Sequence, residues 1–468
     1  MADNKKDVNA ELREKLLFTK KNGAARAGAE VLAEADAFCE PYKAFLDAGK
    51  TEREAAGETV RMAQEAGFVP FEKGKVYSAG DKVYHLNREK AVLLAVIGKK
   101  PVEEGVRISA AHIDSPRIDL KQNPVFEADE LAYFKTHYYG GIKKYQWVVI
   151  PLSLHGVVCR KDGTKVTVTI GEDDGDPQFC VTDLLPHLAG DQMRKGASEI
   201  IPGEKLNILI GSRPLEGDEG KDSVKLNILR LLNEKYGIIE EDFLSAELEA
   251  VPAHKAKDVG FDRSMVGAYG HDDRVCAYPS IKAIFDCGVP EQTAVVCLAD
   301  KEETGSNGNT GLNSAFLEYF IHDLAEMQGG CGRTALSNST CLSADVNAAF
   351  DPNFADAYEK RNAALVNGGV VLTKFTGARG KSGTSDASAE YVAKIRSIFD
   401  GADVIWQTAE LGKVDGGGGG TVAMYIANLD VDVVDIGVPV LSMHAPFEVV
   451  SKLDVYMTYK AVKAFFEA

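Results

Sequence analysis

The chain has 468 residues, more than one ordinary core organises, so two or three domains, or one large domain with an insertion, are expected. Apolar and charged fractions of 45% and 26% are those of a soluble globular protein. With 70 acidic against 53 basic side chains the net charge is −17, which argues against nucleic acid and anionic membranes as main partners, because both need clustered positive charge.

The first residues, "MADNKKDVNAELREKLLFTKKNGAARA", are charged and amphipathic and lack the apolar core and cleavage site of a secretory signal, so a cytoplasmic location is expected. Helical periodicity runs through 9–65. "AVLLAVIG" (91–98) and "VRISAAHIDSP" (106–116) read as buried strands, too short to span a membrane. From about 120 to 255 the character changes to short β-like runs ("WVVIPLSLHGVVC", "KVTVTI") and Gly/Asp-rich turns, the pattern of an inserted, mostly β domain. After about 260 strands and helices alternate. Residues 274–288 read as helix, 293–300 as strand, 309–327 as helix, 340–346 as strand, 385–399 as helix, 432–444 as strand and 447–468 as a closing helix. Such alternation predicts an α/β fold with a largely parallel sheet covered on both faces. The eight cysteines form no CxxC pair and are expected to be free thiols.

In open α/β sheets ligands bind beyond the carboxyl ends of the strands. There the sequence places His112 and Asp114, Glu302 and Glu303, Asp345, and His444; His271, Asp272 and Asp273 stand just before the helix at 274. Alone, each reads as a cap or turn residue. Together, two His, two Asp and two Glu form the ligand set of a two-zinc hydrolase. Two cations about 3.5–4 Å apart need a spanning ligand, which a carboxylate provides. A further acid that is not a ligand must move the proton of the attacking water. The consecutive acids Glu302 and Glu303 suit that division, because adjacent side chains at a strand end point to opposite sides. Asp114 shares a strand face with His112 and is placed to accept its other ring N–H; a turn residue before Pro116 is the competing reading.

"SAAHIDSPRIDLK", "YGHDDRVCA", "DKEETGS", "SADVNAAFDPNF" and "MHAPFE", in that order, resemble the aspartyl aminopeptidase/aminopeptidase I family of dinuclear zinc exopeptidases. The resemblance implies a three-layer α/β/α catalytic domain (1–118 and 256–468) interrupted by a β-rich dimerisation domain (119–255). It implies two Zn2+ per subunit, with Co2+ or Mn2+ as substitutes in carboxylate-rich sites. Asp272 would bridge the metals, with Asp273 as the alternative; His112 and Asp345 would complete one site, and Glu303 and His444 the other. Glu302 would be the general base. His187, in "LLPHLAGD", would reach the active site of a neighbouring subunit. The implied partners are peptide substrates and further copies of the chain, as dimers and a tetrahedral dodecamer. "MHAPFE" and "GARGKSGTSDASAEY" (377–391) lie nearer the aminopeptidase I branch, which points to neutral or hydrophobic N-terminal residues rather than strictly acidic ones. Strict aspartyl specificity, or another amidase or carboxypeptidase on the same scaffold, are the rival functions.

The run Gly416–Gly420 lacks the Lys-Ser/Thr of a phosphate-binding loop. It reads as a side-chain-free loop ending at Thr421, before a helix-like segment, whose N–H groups are free for a peptide substrate. Gly418, Gly419, Gly420 and Thr421 are therefore expected to line the cleft. Lys381, with Arg379 nearby, is expected to contact substrate or pair across an interface.

Overall fold

The structure, a computed structural model, describes residues 2–18, 20 and 22–468. Among these residues three sheets organise the chain. The largest has nine strands, in the order Val69–Pro70, Lys82–Asn87, Ala91–Val96, Ala294–Ala299, Arg107–His112, Thr340–Ala344, Asp432–Gly437, Val370–Thr373 and Trp406–Thr408. Its four central strands, Ala294–Ala299 through Asp432–Gly437, are mutually parallel, so their carboxyl ends open on one edge. Strands buried on both faces need apolar side chains throughout. Val92, Leu94 and Val96 accordingly pack with the helices Gly23–Ala48, His271–Asp286 and Lys452–Glu467, while Leu93 and Ala95 pack with Phe316–Met327 on the other side. The result is an α/β/α sandwich.

The second sheet has seven antiparallel strands drawn from residues 117–252, with the helix Ser223–Tyr236 against it and its own apolar core. The third has five short strands: Lys257–Val259, Met265–Ala268, Glu448–Ser451, Pro439–Leu441 and Asn347–Ala348.

This third sheet corrects two sequence expectations. The single strand expected over 432–444 is two strands in different sheets, Asp432–Gly437 and Pro439–Leu441, separated at Val438. The closing helix begins at Lys452 rather than 447, because Glu448–Ser451 pairs with Met265–Ala268 and the Ser451 hydroxyl accepts from Asp454 N to cap the helix. The β-like run from 147 pairs as a full strand only from Leu152. Helical periodicity over 9–65 resolves into helices separated at Gly49–Thr51, where Thr51 and Glu54 form a capping box. All eight cysteines are free thiols. No helix among the described residues is long and apolar enough to cross a membrane.

Candidate active site

Six of the expected residues converge at the open edge of the central parallel strands. His112 ends the strand Arg107–His112; Glu302 and Glu303 follow Ala294–Ala299 in a single 3-10 turn; Asp345 follows Thr340–Ala344. The small sheet delivers the rest. Its strand Met265–Ala268 leads to Asp272 at the start of a helix, and Pro439–Leu441 leads to His444. His444 and Lys301 hold left-handed backbone, φ +64° and +68°, which costs a non-glycine residue of order 1–3 kcal/mol. Glu448 helps to hold the first of these turns: its carboxylate accepts from His444 N at 2.7 Å and from Asp272 N at 3.2 Å.

Asp272 lies at the centre. One oxygen is 3.2 Å from His112 Nε2 and the other 3.1 Å from His444 Nε2. Asp345 Oδ1 stands 3.7 Å from His112 Nε2, and Glu303 Oε1 3.6 Å from His444 Nε2. Glu302 Oε2 is 3.8 Å from His112 Nε2. The outer ring nitrogens are already committed. His444 Nδ1 donates to the Gly141 carbonyl at 2.7 Å, and His112 Nδ1 lies 3.0 Å from the Asp114 carbonyl and 3.2 Å from its carboxylate. In the neutral imidazoles the inner nitrogens then carry bare lone pairs aimed at carboxylate oxygens. Lone pairs facing anions repel unless a cation lies between them. His112 Nε2, Glu303 Oε1 and Asp273 Oδ1 are buried without hydrogen-bond partners, as metal-ligating atoms would be.

Without metal the protons show the same strain. Burial pushes Glu302 up to about 8, with the charges of Asp345, Asp272 and Asp114 adding to it and His112 opposing. Burial and Asp272 push Glu303 well above the usual range, and burial and the charge of Asp345 do the same to Asp273. Burial disfavours a charged His444, yet Asp272 and Glu303 outweigh it and raise the imidazole to about 10. Burial likewise works against a depressed Asp272, but its hydrogen bonds with His112 and His444 hold it below the ordinary carboxylate range. Protons stand here where a divalent cation would neutralise the acids. His112, Asp272 and Glu303, and also His112, Asp273 and Asp345, place ligand atoms within 4.8 Å of one another. The donor set of imidazoles and carboxylates fits zinc.

Other expected residues lie elsewhere. His271 is buried against Tyr42 Oη, 2.7 Å away, and Val266 O, 3.1 Å away, so both its ring nitrogens are used in the core. His187 is exposed on the long loop between Cys180–Val181 and Ile208–Gly211, outside the cluster. Lys381 pairs with Asp386 at 2.8 Å and lies over the Phe375 ring, so its charge is engaged locally. In the glycine run, Gly418 has φ +121° and a Cβ there would sit 2.4 Å from Ala378 N, so close packing against a neighbouring loop explains that glycine. The N–H of Gly419 is not free as expected: it donates to Thr376 O at 3.2 Å. Thr421 donates to Asp435, which pairs across the sheet with Ser343, two positions before Asp345. The helix after the run is short, Ala423–Ala427.

Sequence reasoning gave no role to Tyr139, Gly141 or Glu448. Glu448 closes the "MHAPFE" motif and was visible there; Tyr139 and Gly141 carried no signal, because their partners are distant in sequence.

Fold and cluster together are those of a metal-binding α/β protein. Comparison supplies the family: the Peptidase M18 description, aminopeptidase I zinc metalloprotease, matches residues 45–466. The probable M18 family aminopeptidase 1 of Clostridium acetobutylicum is 51% identical over 458 residues, 96% of this chain and 98% of that one. The crystal structure of an M18 aminopeptidase from Thermotoga maritima superposes with a TM-score of 0.92 at 44% identity, over 96% of this chain and all of that one. At 19% identity the S. cerevisiae mApe1 dodecamer shares the fold, with a TM-score of 0.75 over 93% of this chain and 97% of that one. The chain belongs to peptidase family M18 and is a zinc metalloaminopeptidase.

Proposed function

We propose that Asp272 would be shared by two zinc sites in each subunit, and that Glu302 is the general base in the hydrolysis that releases the N-terminal residue of a peptide. The observation that carries this reading is the position of the Asp272 carboxylate, one oxygen on each inner imidazole nitrogen. His112 and Asp345 would complete one site, Glu303 and His444 the other. Asp273 is the less suited bridge, since one of its oxygens already accepts from His112 N at 3.2 Å. Bound zinc would supply Lewis acidity, polarising the scissile carbonyl and making water more acidic. Co2+ or Mn2+ would substitute in so carboxylate-rich a set.

The chain's own residues do the rest. The free N-terminal amine and the scissile carbonyl of the peptide would meet this cluster together, which makes the reaction that of an exopeptidase. Glu302 is held by its backbone N–H, which donates to Asp114 Oδ1 at 3.1 Å. Its carboxylate takes a proton from the attacking water and returns it to the departing amine. With added positive charge nearby, its raised pKa falls and the base is ionised at neutral pH. Asp114 keeps the His112 ring in one tautomer.

We assign residues 1–118 and 256–468 to catalysis and 119–255 to assembly, as dimers and a tetrahedral dodecamer. Support comes from the separate core of the seven-stranded sheet and from the exposed loop carrying His187 between Leu184, Leu185 and Leu188, which are 53%, 50% and 69% exposed. The dodecameric mApe1 points the same way. In such an assembly His187 would enter a neighbour's site and donate to the developing oxyanion. Gly418, Gly420, Thr421 and Lys381 would line the cleft for the N-terminal side chain, neutral or hydrophobic by motif, in peptides handled in the cytoplasm.

The test is Glu302→Gln with amino-acid p-nitroanilides and their N-acetylated analogues. Turnover of the free-amine substrates should fall by about 10²–10⁴-fold with two zinc equivalents retained. Near-normal turnover removes Glu302 as the base, and equal hydrolysis of acetylated substrates by the unaltered chain removes the aminopeptidase geometry proposed.

A further inference from the structure

The strand Leu131–Tyr139 belongs to the seven-stranded sheet, yet its end touches three members of the metal cluster in succession. Tyr139 Oη donates to Asp114 Oδ2 at 2.8 Å. At Gly140, with φ +73°, an added Cβ would lie 3.1 Å from Glu303 Oε2 and 3.3 Å from Glu303 Cβ, so a side chain there would strain the backbone and press on that carboxylate. The Gly141 carbonyl accepts from His444 Nδ1 at 2.7 Å.

The Asp114 carboxylate that Tyr139 meets is itself a junction. It is fully buried and lies against His112 Nδ1, and it accepts from the backbone N–H groups of Glu302 and Glu303 at 3.1 and 3.2 Å. Losing one donor would let it rotate, and the imidazole with the two acids would follow. The Tyr139 ring is fixed in turn: the Arg117 guanidinium stacks on it 4.0 Å from the centroid. Arg117 is held by Glu52 at 3.0 Å, Asp119 at 2.8 Å and Glu249 at 3.2 Å. Glu52 opens a helix of the sandwich, whereas Arg117, Asp119 and Glu249 belong to strands of the seven-stranded sheet.

We propose that Tyr139–Gly140–Gly141 is a positioning clamp through which the seven-stranded sheet sets the orientation of Asp114, Glu303 and His444, with Tyr139 as its side-chain element. The inference rests on the two-metal reading above. It assigns the seven-stranded sheet a part in each subunit's own metal centre.

Tyr139→Phe removes one hydrogen bond and keeps the ring on Arg117. Partners that orient metal ligands are typically worth 10–100-fold in affinity or activity. The variant should lose about tenfold in kcat with KM changed less than about threefold, and should release half its zinc at about one-tenth of the chelator concentration, with only a small fall in Tm. Tyr139→Leu, which also removes the stacking, should deepen the fall in Tm. If Tyr139→Phe keeps both kcat and zinc retention, Tyr139 only packs against Arg117 and the clamp is wrong. Failure of the Glu302 assignment reads out separately: Glu302→Gln would stay active, while the zinc-retention difference in Tyr139→Phe would remain.

Discussion

Arg117 and His112 are near neighbours in sequence, and each sits in a buried crowd of carboxylates. Around Arg117 the crowd is nearly balanced, four carboxylates against three cations. Glu52, Asp119 and Glu249 meet Arg117, and Lys90 links Glu52 at 3.6 Å to Glu247 at 2.9 Å, which Arg53 also holds. Around His112 it is not. Asp114, Asp272, Asp273, Glu302, Glu303, Asp345 and Glu448 gather with two imidazoles and, among the described residues, no Lys or Arg ion pair. Burial penalises unpaired charge heavily. The first cluster can therefore be understood as structure, whereas the second makes sense only with cations from outside the chain. That difference separates a structural ion cluster from a metal site more surely than a count of acids would.

The comparison breaks most visibly at Asp272. Asp272→Ala should lose at least one zinc by elemental analysis, and with it several kcal/mol of transition-state stabilisation, roughly a thousandfold in rate. Two full equivalents in this variant would move the bridge to Asp273. The nearly balanced cluster should respond in stability instead. Lys90→Met leaves Glu52 and Glu247 short of a cation, and urea unfolding should show a loss of about 1–3 kcal/mol while zinc per folded molecule stays constant. Zinc loss in Lys90→Met would mean that the two clusters are not separate.

The smallest effect concerns pH. In the metal-free chain His444 is raised to about 10, so its stabilisation is complete below an unfolded value of 6.5 and is lost as pH rises to about 10. Glu302, raised from 4.5 to about 8, acts in the same direction, because the folded chain keeps a proton that the unfolded chain releases. In the proposed two-metal site zinc would take the place of these protons. The Tm gap between zinc-loaded and chelator-stripped protein should therefore widen between pH 5.5 and 8.5. A constant gap would show that the raised groups do not face the metal.

Much of this was legible in the chain itself. Ala91–Val96 and Ala294–Ala299 are unbroken apolar runs because both faces of the sheet are covered, and such runs are visible without coordinates. His112, Glu302, Glu303 and Asp345 were legible for the same reason: each follows a central strand, and parallel strands put such positions on one edge. His444 was placed correctly at the edge although its supposed strand is two strands. The break at Val438 depends on pairing with Met265–Ala268 through Glu448–Ser451, and local pattern does not encode so distant a partner.

Periodicity and the order of five motifs thus determined the α/β sandwich, its edge and the residues gathered there. Tertiary structure alone decided that Asp272 rather than Asp273 faces both imidazoles, that His271 turns into the core toward Tyr42, and that Gly419 spends its N–H on Thr376. It also brought Tyr139 and Gly141 to the metal cluster from another sheet. The physical reason is the same throughout. Strand and helix periods are set by neighbours a few residues away, whereas the direction of a side chain at a strand end is set by hydrogen bonds to residues that only folding brings near.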